Sequence, residues 1–182
     1  TKSRFKLALE CPTKLFYTRK DTYANQNEEE EFLMALAEGG FQVGELAKYY
    51  HPGGHDITSQ GYQESLNETN ELLEQENVII YEAALQFETF FIRADVLIKT
   101  GDQVDLIEVK ARSLKSKDEF YSSRGFLNSN WRPYLYDIAF QTWVAHQAFP
   151  EWGIKPYLLL ADKNKKTSVD GLNQLFVLER DS

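Results

Sequence analysis

The sequence predicts an α/β domain whose elements run helix, three-stranded meander, helix, strand. Three observations predict it. Apolar, β-branched runs crowd together between Val78 and Val109, broken only by short polar turns, as consecutive paired strands do. Apolar residues at helical spacing precede them (Phe32, Leu33, Leu36, Ala37, then Phe41–Ala47) and follow them from Trp131 to Phe149. A last apolar run, Lys155–Ala161, comes after the second helical stretch. At 182 residues, with 42% hydrophobic and 14% aromatic residues, the chain suits one packed domain spanning residues 1–182.

In order, Ser3 is placed to cap a helix across Arg4–Glu10, and Cys11-Pro12 follows it. The polar, acidic stretch Asn25–Glu31 suits a helix N-terminus, where carboxylates meet the dipole favourably. Gly39-Gly40 is expected to interrupt that helix before it resumes toward Tyr49-Tyr50. His51–Asp56 reads as the loop that ends it. Its two histidines and one aspartate lack a third histidine or a cysteine at a supporting spacing, so a zinc site is rejected. Asn67–Glu76 is compatible with a surface helix. Val78–Phe87, Thr89–Ile98 and Gln103–Val109 form the meander, Ser113–Asn130 is a polar loop, and Leu175–Leu178 is a final strand.

The chemistry is expected in the hairpin from Ile92 to Arg112. Lys99-Thr-Gly101-Asp-Gln103 forms its turn, and polar residues break the apolar runs at Asp95, Glu108 and Lys110. Side chains alternate along a strand, so Glu108 and Lys110 share a face, and Asp95 on the partner strand can meet them. Charged groups on otherwise buried strands are costly unless a metal or charged ligand compensates them. The plain alternative is a surface hairpin whose Glu and Lys form a weak cross-strand pair.

Asp95 followed by Glu108-Val109-Lys110 resembles the signature of the PD-(D/E)XK nuclease superfamily. Ser3…Cys11-Pro12-x-Lys14-x-x-Tyr17 is similar to the opening of its RecB-type branch, which includes the CRISPR-associated adaptation nuclease and the AddB subunit. The resemblance implies a restriction-endonuclease-like αβββαβ core, with a central mixed sheet flanked by helices. It implies that Asp95 and Glu108, with the Val109 carbonyl, hold Mg²⁺ or Mn²⁺, and that Lys110 positions or activates the attacking water. Hard cations of this kind take carboxylate and carbonyl oxygens and leave room for phosphate. Relatives carry Gly-x-x-x-His-Glu on the first core helix. Gly40–Glu45 fits that frame with Gly44 in the histidine's place, which makes Glu45 the substitute ligand. A fourth family motif, Gln-x-x-x-Tyr, is matched by Gln141, implying contact with the water or scissile phosphate. Ala145 stands at its tyrosine position, with Tyr136 as the replacement. Glu82 either supports the site or pairs with Arg93, the structural reading being preferred. Relatives place four iron–sulfur ligands on cysteines. Cys11 is the only cysteine here, so a cluster is not expected in this chain and Cys11 reads as a small buried hydrophobe.

The net charge of −8 argues against a basic nucleic-acid coat protein, yet basic residues gather just after the catalytic strand. Lys110, Arg112, Lys115, Lys117 and Arg124 are candidates for a phosphate backbone, interleaved with Phe120, Tyr121 and Phe126 for stacking single-stranded bases. No apolar run spans a membrane and no secretory signal opens the chain, so no membrane partner is expected and the cytoplasm is the default. The chain opens on Thr rather than Met, which leaves open a longer parent protein with further domains or protein partners. Two functional readings result. One is a metal-dependent deoxyribonuclease acting on DNA ends or single strands. The other is a non-catalytic module of the same fold that binds nucleic acid or a protein.

Overall fold

The computed structural model describes residues 1–18, 20, 22–23, 31–166, 168 and 170, and within 31–39 only the backbone. The helices are α1 (Lys2–Glu10), α2 (Pro12–Tyr17), α3 (Glu31–Tyr50), α4 (Tyr62–Leu73) and α5 (Arg132–Ala148). The strands are β1 (His55–Asp56), β2 (Asn77–Phe87), β3 (Phe90–Thr100), β4 (Gln103–Leu114) and β5 (Gly153–Asp162). They form one mixed sheet in the order β1-β2-β3-β4-β5. The β2–β3–β4 meander is antiparallel, while β1 and β5 add in parallel at the two edges. The chain is therefore α/β, with a five-stranded mixed sheet flanked by helices. The sequence α3, β2, β3, β4, α5, β5 is the expected αβββαβ order, with β1 and α4 inserted after α3.

Apolar side chains decide which helix covers which face. Ile80, Ala83, Leu85, Ala94, Leu97 and Leu106 point toward Ile138, Phe140 and Val144 of α5, with Phe5 of α1 and Leu72 of α4 packed alongside. Tyr81, Val96, Ile107 and Val109 point the other way, toward Val43 and Ala47 of α3. On β4 the alternation is regular, so Glu108 faces α5. On β2 and β3 it slips by one residue. Ile80 and Ala83 share the α5 face, as do Leu97 and Ala94. The slips fall at Glu82, whose φ is +57°, and at Asp95. A simple period of two does not give Asp95 its orientation.

Several expectations need correction. Gly39-Gly40 does not interrupt α3, which runs unbroken from Glu31 to Tyr50. Glycine costs a helix only about 1 kcal/mol, and packing of Val43 and Ala47 on the sheet outweighs that. Ser3 lies inside α1 rather than at its start, and Thr1 takes the cap position. Cys11 is partly exposed rather than buried, and it leads directly into α2. The polar stretch after Asp56 forms its helix earlier than expected, at Tyr62–Leu73. β4 continues past Val109 to Leu114, because β5 keeps pairing it beyond the end of its ladder with β3, through a register shift between Lys110 and Ser113. The Ser113–Asn130 segment contains a 3₁₀ turn at Lys117–Phe120 and a bridge between Tyr121 and Leu127. The expected strand Leu175–Leu178, and all of the acidic stretch before Glu31, lie outside the described residues. No helix among the described residues is long and apolar enough to cross a membrane.

Candidate active site

β3 and β4 pair from Thr100↔Gln103 as far as Val96↔Ile107, and there the ladder stops. Beyond it β3 stays with β2, and β4 stays with β5. Asp95 and Glu108 face each other at this fork. Asp95 takes over part of the broken ladder: the Val109 N–H donates to its Oδ2 at 2.6 Å. A carboxylate that bonds backbone in this way is fixed in direction without losing its second oxygen. Val109 thus engages Asp95 through its amide.

Glu108 is fully buried, as are Asp137 and Gln141 of α5. A buried carboxylate is tolerable only if its oxygens are compensated. The Lys2 ammonium lies 3.1 and 3.0 Å from its two oxygens. Lys110 bonds Glu108 Oε1, and Gln141 Nε2 donates to Glu108 Oε2 at 2.6 Å. Gln141 also donates to Asp137 Oδ1 at 3.1 Å, and these two acceptors fix which end of its amide is nitrogen. Asp137 lies 3.5 Å from Lys110 and 3.6 Å from Lys6. Three acids and three lysines thus alternate around the fork.

Burial, and then the charge of Glu108, push the Asp95 carboxyl up to about 6. Burial also acts to raise Glu108, but the ammonium groups of Lys2 and Lys110 and the Gln141 bond win, bringing it down to about 2. Asp137 is raised by burial and by Glu108. For Lys2, burial opposes the charged form, yet Glu108, Asp95 and Asp137 outweigh it and lift its pKa above the ordinary lysine value. At neutral pH the pair is anionic and held together by cations.

Comparison with protein-family models, curated proteins and solved structures finds no match. The site is therefore read from its own geometry. Among the described residues no three His, Cys, Asp or Glu side chains gather as a cage for a metal ion. Asp95 and Glu108 are a pair, offering hard oxygens on one side of a fork with a cation already seated between them. That donor set fits Mg²⁺ or Mn²⁺, provided water or substrate supplies the remaining oxygens.

Asp95, Glu108, Lys110 and Gln141 lie together at the fork, where Gln141 holds two carboxylates and is sealed from solvent. Its amide nitrogen ties Glu108 of β4 to Asp137 of α5. Glu45 does not join the cluster in this structure. It is exposed and pairs with Lys48 at 2.8 Å, and Lys48 also holds Asp56. Glu82 is exposed and lies 3.8 Å from Arg93, the preferred structural pairing. Tyr136 is exposed on α5, whereas the residue one turn before Gln141 on its own face is Asp137. Arg112 is committed to structure: its guanidinium lies over the Trp131 ring at 4.3 Å and donates to the Asn130 carbonyl at 3.1 Å. Lys115, Lys117 and Arg124 are exposed.

Asp137, Lys2 and Lys6 are the members that sequence reasoning missed. Asp137 has a legible signal, as an acid among apolar residues one turn before Gln141. Lys2 has none, because its partner Glu108 is 106 positions away.

Proposed function

We propose that this chain is a metal-dependent nuclease that hydrolyses DNA phosphodiester bonds, at ends or in single strands. The observation that carries the reading is the convergence of Asp95, Glu108 and Lys110 where β3 and β4 part. Mg²⁺ or Mn²⁺ held by Asp95 and Glu108 would supply Lewis-acid stabilisation and an acidified water there. The protein's own residues do the rest. The Val109 amide aims Asp95, and Gln141 and Asp137 hold Glu108 and Lys110 in place. Lys110, half-buried beside Glu108, orients the attacking water and faces charge developing on the phosphate. The exposed Lys115, Lys117 and Arg124, with exposed Tyr121 and Phe126, follow this strand directly and suit phosphates and unpaired bases.

One observation favours a second reading, a non-catalytic binding module: Glu108 is already compensated by Lys2, Lys110 and Gln141. A labelled-DNA gel assay, single- and double-stranded, with and without Mg²⁺ or Mn²⁺, tests the first reading. Divalent-dependent cleavage that is lost in Glu108→Gln supports it. No cleavage in either metal, with DNA binding intact, replaces it by the second.

A further inference from the structure

The Lys2 ammonium sits among four oxygens drawn from two strands. Glu108 Oε1 and Oε2 lie at 3.1 and 3.0 Å, the Arg93 carbonyl at 3.4 Å and Asp95 Oδ1 at 3.8 Å. An ammonium carries three protons, so it cannot bond all four, and the Asp95 contact is an ion pair without a hydrogen bond. The surroundings are thus those of a cation seat rather than of one directed bond. They include both carboxylates that the nuclease reading assigns to a divalent ion. Two cations cannot occupy one seat.

The helix carrying Lys2 is held by other groups. Phe5 stacks on Phe140 with centroids 4.2 Å apart and rings 11° from parallel, and Lys6 reaches Asp137. The Lys2 side chain, 23% exposed, can therefore swing toward solvent while α1 stays docked. We propose that Lys2 is a resident counter-ion of the Asp95–Glu108 pair, which a divalent cation must displace in order to bind. Divalent affinity is then set by competition with the chain's own ammonium, and α1 restrains loading of the site. This rests on the reading of the pair as a divalent site.

Removing Lys2 should act in two opposite directions. The metal-free protein loses one cation beside a buried glutamate and becomes less stable. Divalent affinity rises, because the competitor is gone. A lysine with only a structural role would give the first effect alone, and one that helps hold the ion would lower affinity.

The test is calorimetric titration of Mn²⁺ into the metal-stripped full chain, for wild type, Lys2→Met and Lys2→Gln, with melting curves in the same buffers. Both variants should bind Mn²⁺ about tenfold tighter or more, melt lower without metal, and recover most of that loss at saturating Mn²⁺. Equal or weaker affinity in the variants overturns the competition while leaving the metal site standing. Absence of binding to folded wild type and variants at millimolar Mn²⁺ overturns both, as does binding that survives Asp95→Ala. A measurement on the unsubstituted chain guards against variants that do not fold. Saturating Mn²⁺ should speed amine labelling of Lys2 relative to Lys115, read by mass spectrometry. Unchanged labelling with Mn²⁺ bound sinks the proposal.

Discussion

At the scale of single residues, the fork sets two carboxylates against each other, and their pH behaviour follows. Asp95 is pushed up to about 6 by burial and by Glu108. Its folded pKa exceeds the unfolded one, so the stability it contributes is fully present below about pH 4. That stability is lost as pH rises through about 6. Glu108, brought down to about 2, behaves oppositely: its contribution is present above the ordinary glutamate range and lost as pH falls through about 2. Asp95→Asn keeps an oxygen for the Val109 amide and removes the charge. In chelator-treated protein it should raise stability by ~1–2 kcal/mol above pH 6 and by nothing below pH 4. Melting temperature against pH checks this, and a curve parallel to wild type rules it out. The same variant should lose divalent-dependent cleavage. Lys110→Met probes the other half of the site. It should lose cleavage while Mn²⁺ affinity stays close to that of wild type. Cleavage at the wild-type rate would make the Glu-x-Lys motif coincidental and favour the binding module.

At the scale of elements, α3 is the test of what the sequence could say about its own helices. The pair Gly39-Gly40 and then Gly44 are poor helix formers, yet the helix runs through all three because its sheet-facing residues are buried. Gly44 stands where the resembled family has histidine, and a Cβ added there meets nothing within 4 Å. Gly44→Ala should therefore stabilise the fold by about 0.5–1 kcal/mol, by narrowing the unfolded ensemble without a clash. A lower melting temperature in that variant would mean that the helix is not continuous at this point. The expectation for Glu45 came from the same motif. Its neighbour one turn on, Lys48, takes its carboxylate instead.

At the scale of the whole molecule, a net charge of −8 coexists with an exposed basic segment beside the fork. Long-range repulsion from the acidic body is screened within about 8–10 Å at ordinary salt, so in the proposed nuclease the local lysines and arginine would govern contact with a phosphate backbone. Replacing Lys115, Lys117 and Arg124 together by glutamine should weaken single-stranded DNA binding. It should also flatten the log-affinity against log-salt slope by up to about 2, at ~0.7 per phosphate contact. Arg112→Gln should instead cost stability, since its guanidinium covers Trp131 and ties down the Asn130 carbonyl. An unchanged salt slope in the triple variant would rule this segment out as the proposed nucleic-acid surface.

The sequence by itself determined the αβββαβ order of the core elements and the hairpin carrying Asp95, Glu108 and Lys110, because hydrophobic periodicity and turn chemistry act over a few neighbouring residues. It also determined that Glu108 and Lys110 share a face, since alternation along β4 is regular. Only the tertiary structure decided where the ladder between β3 and β4 ends, and that end is what turns Asp95 toward Glu108. The slip at Glu82 and Asp95 depends on pairing across strands, which no local pattern records. Tertiary packing alone also brought Lys2 and Lys6 of α1 and Asp137 of α5 around the carboxylates. A buried charge is compensated by whatever cation the fold delivers to it, however distant in the chain, so the partners of Glu108 follow from the docking of helices rather than from the spacing of residues.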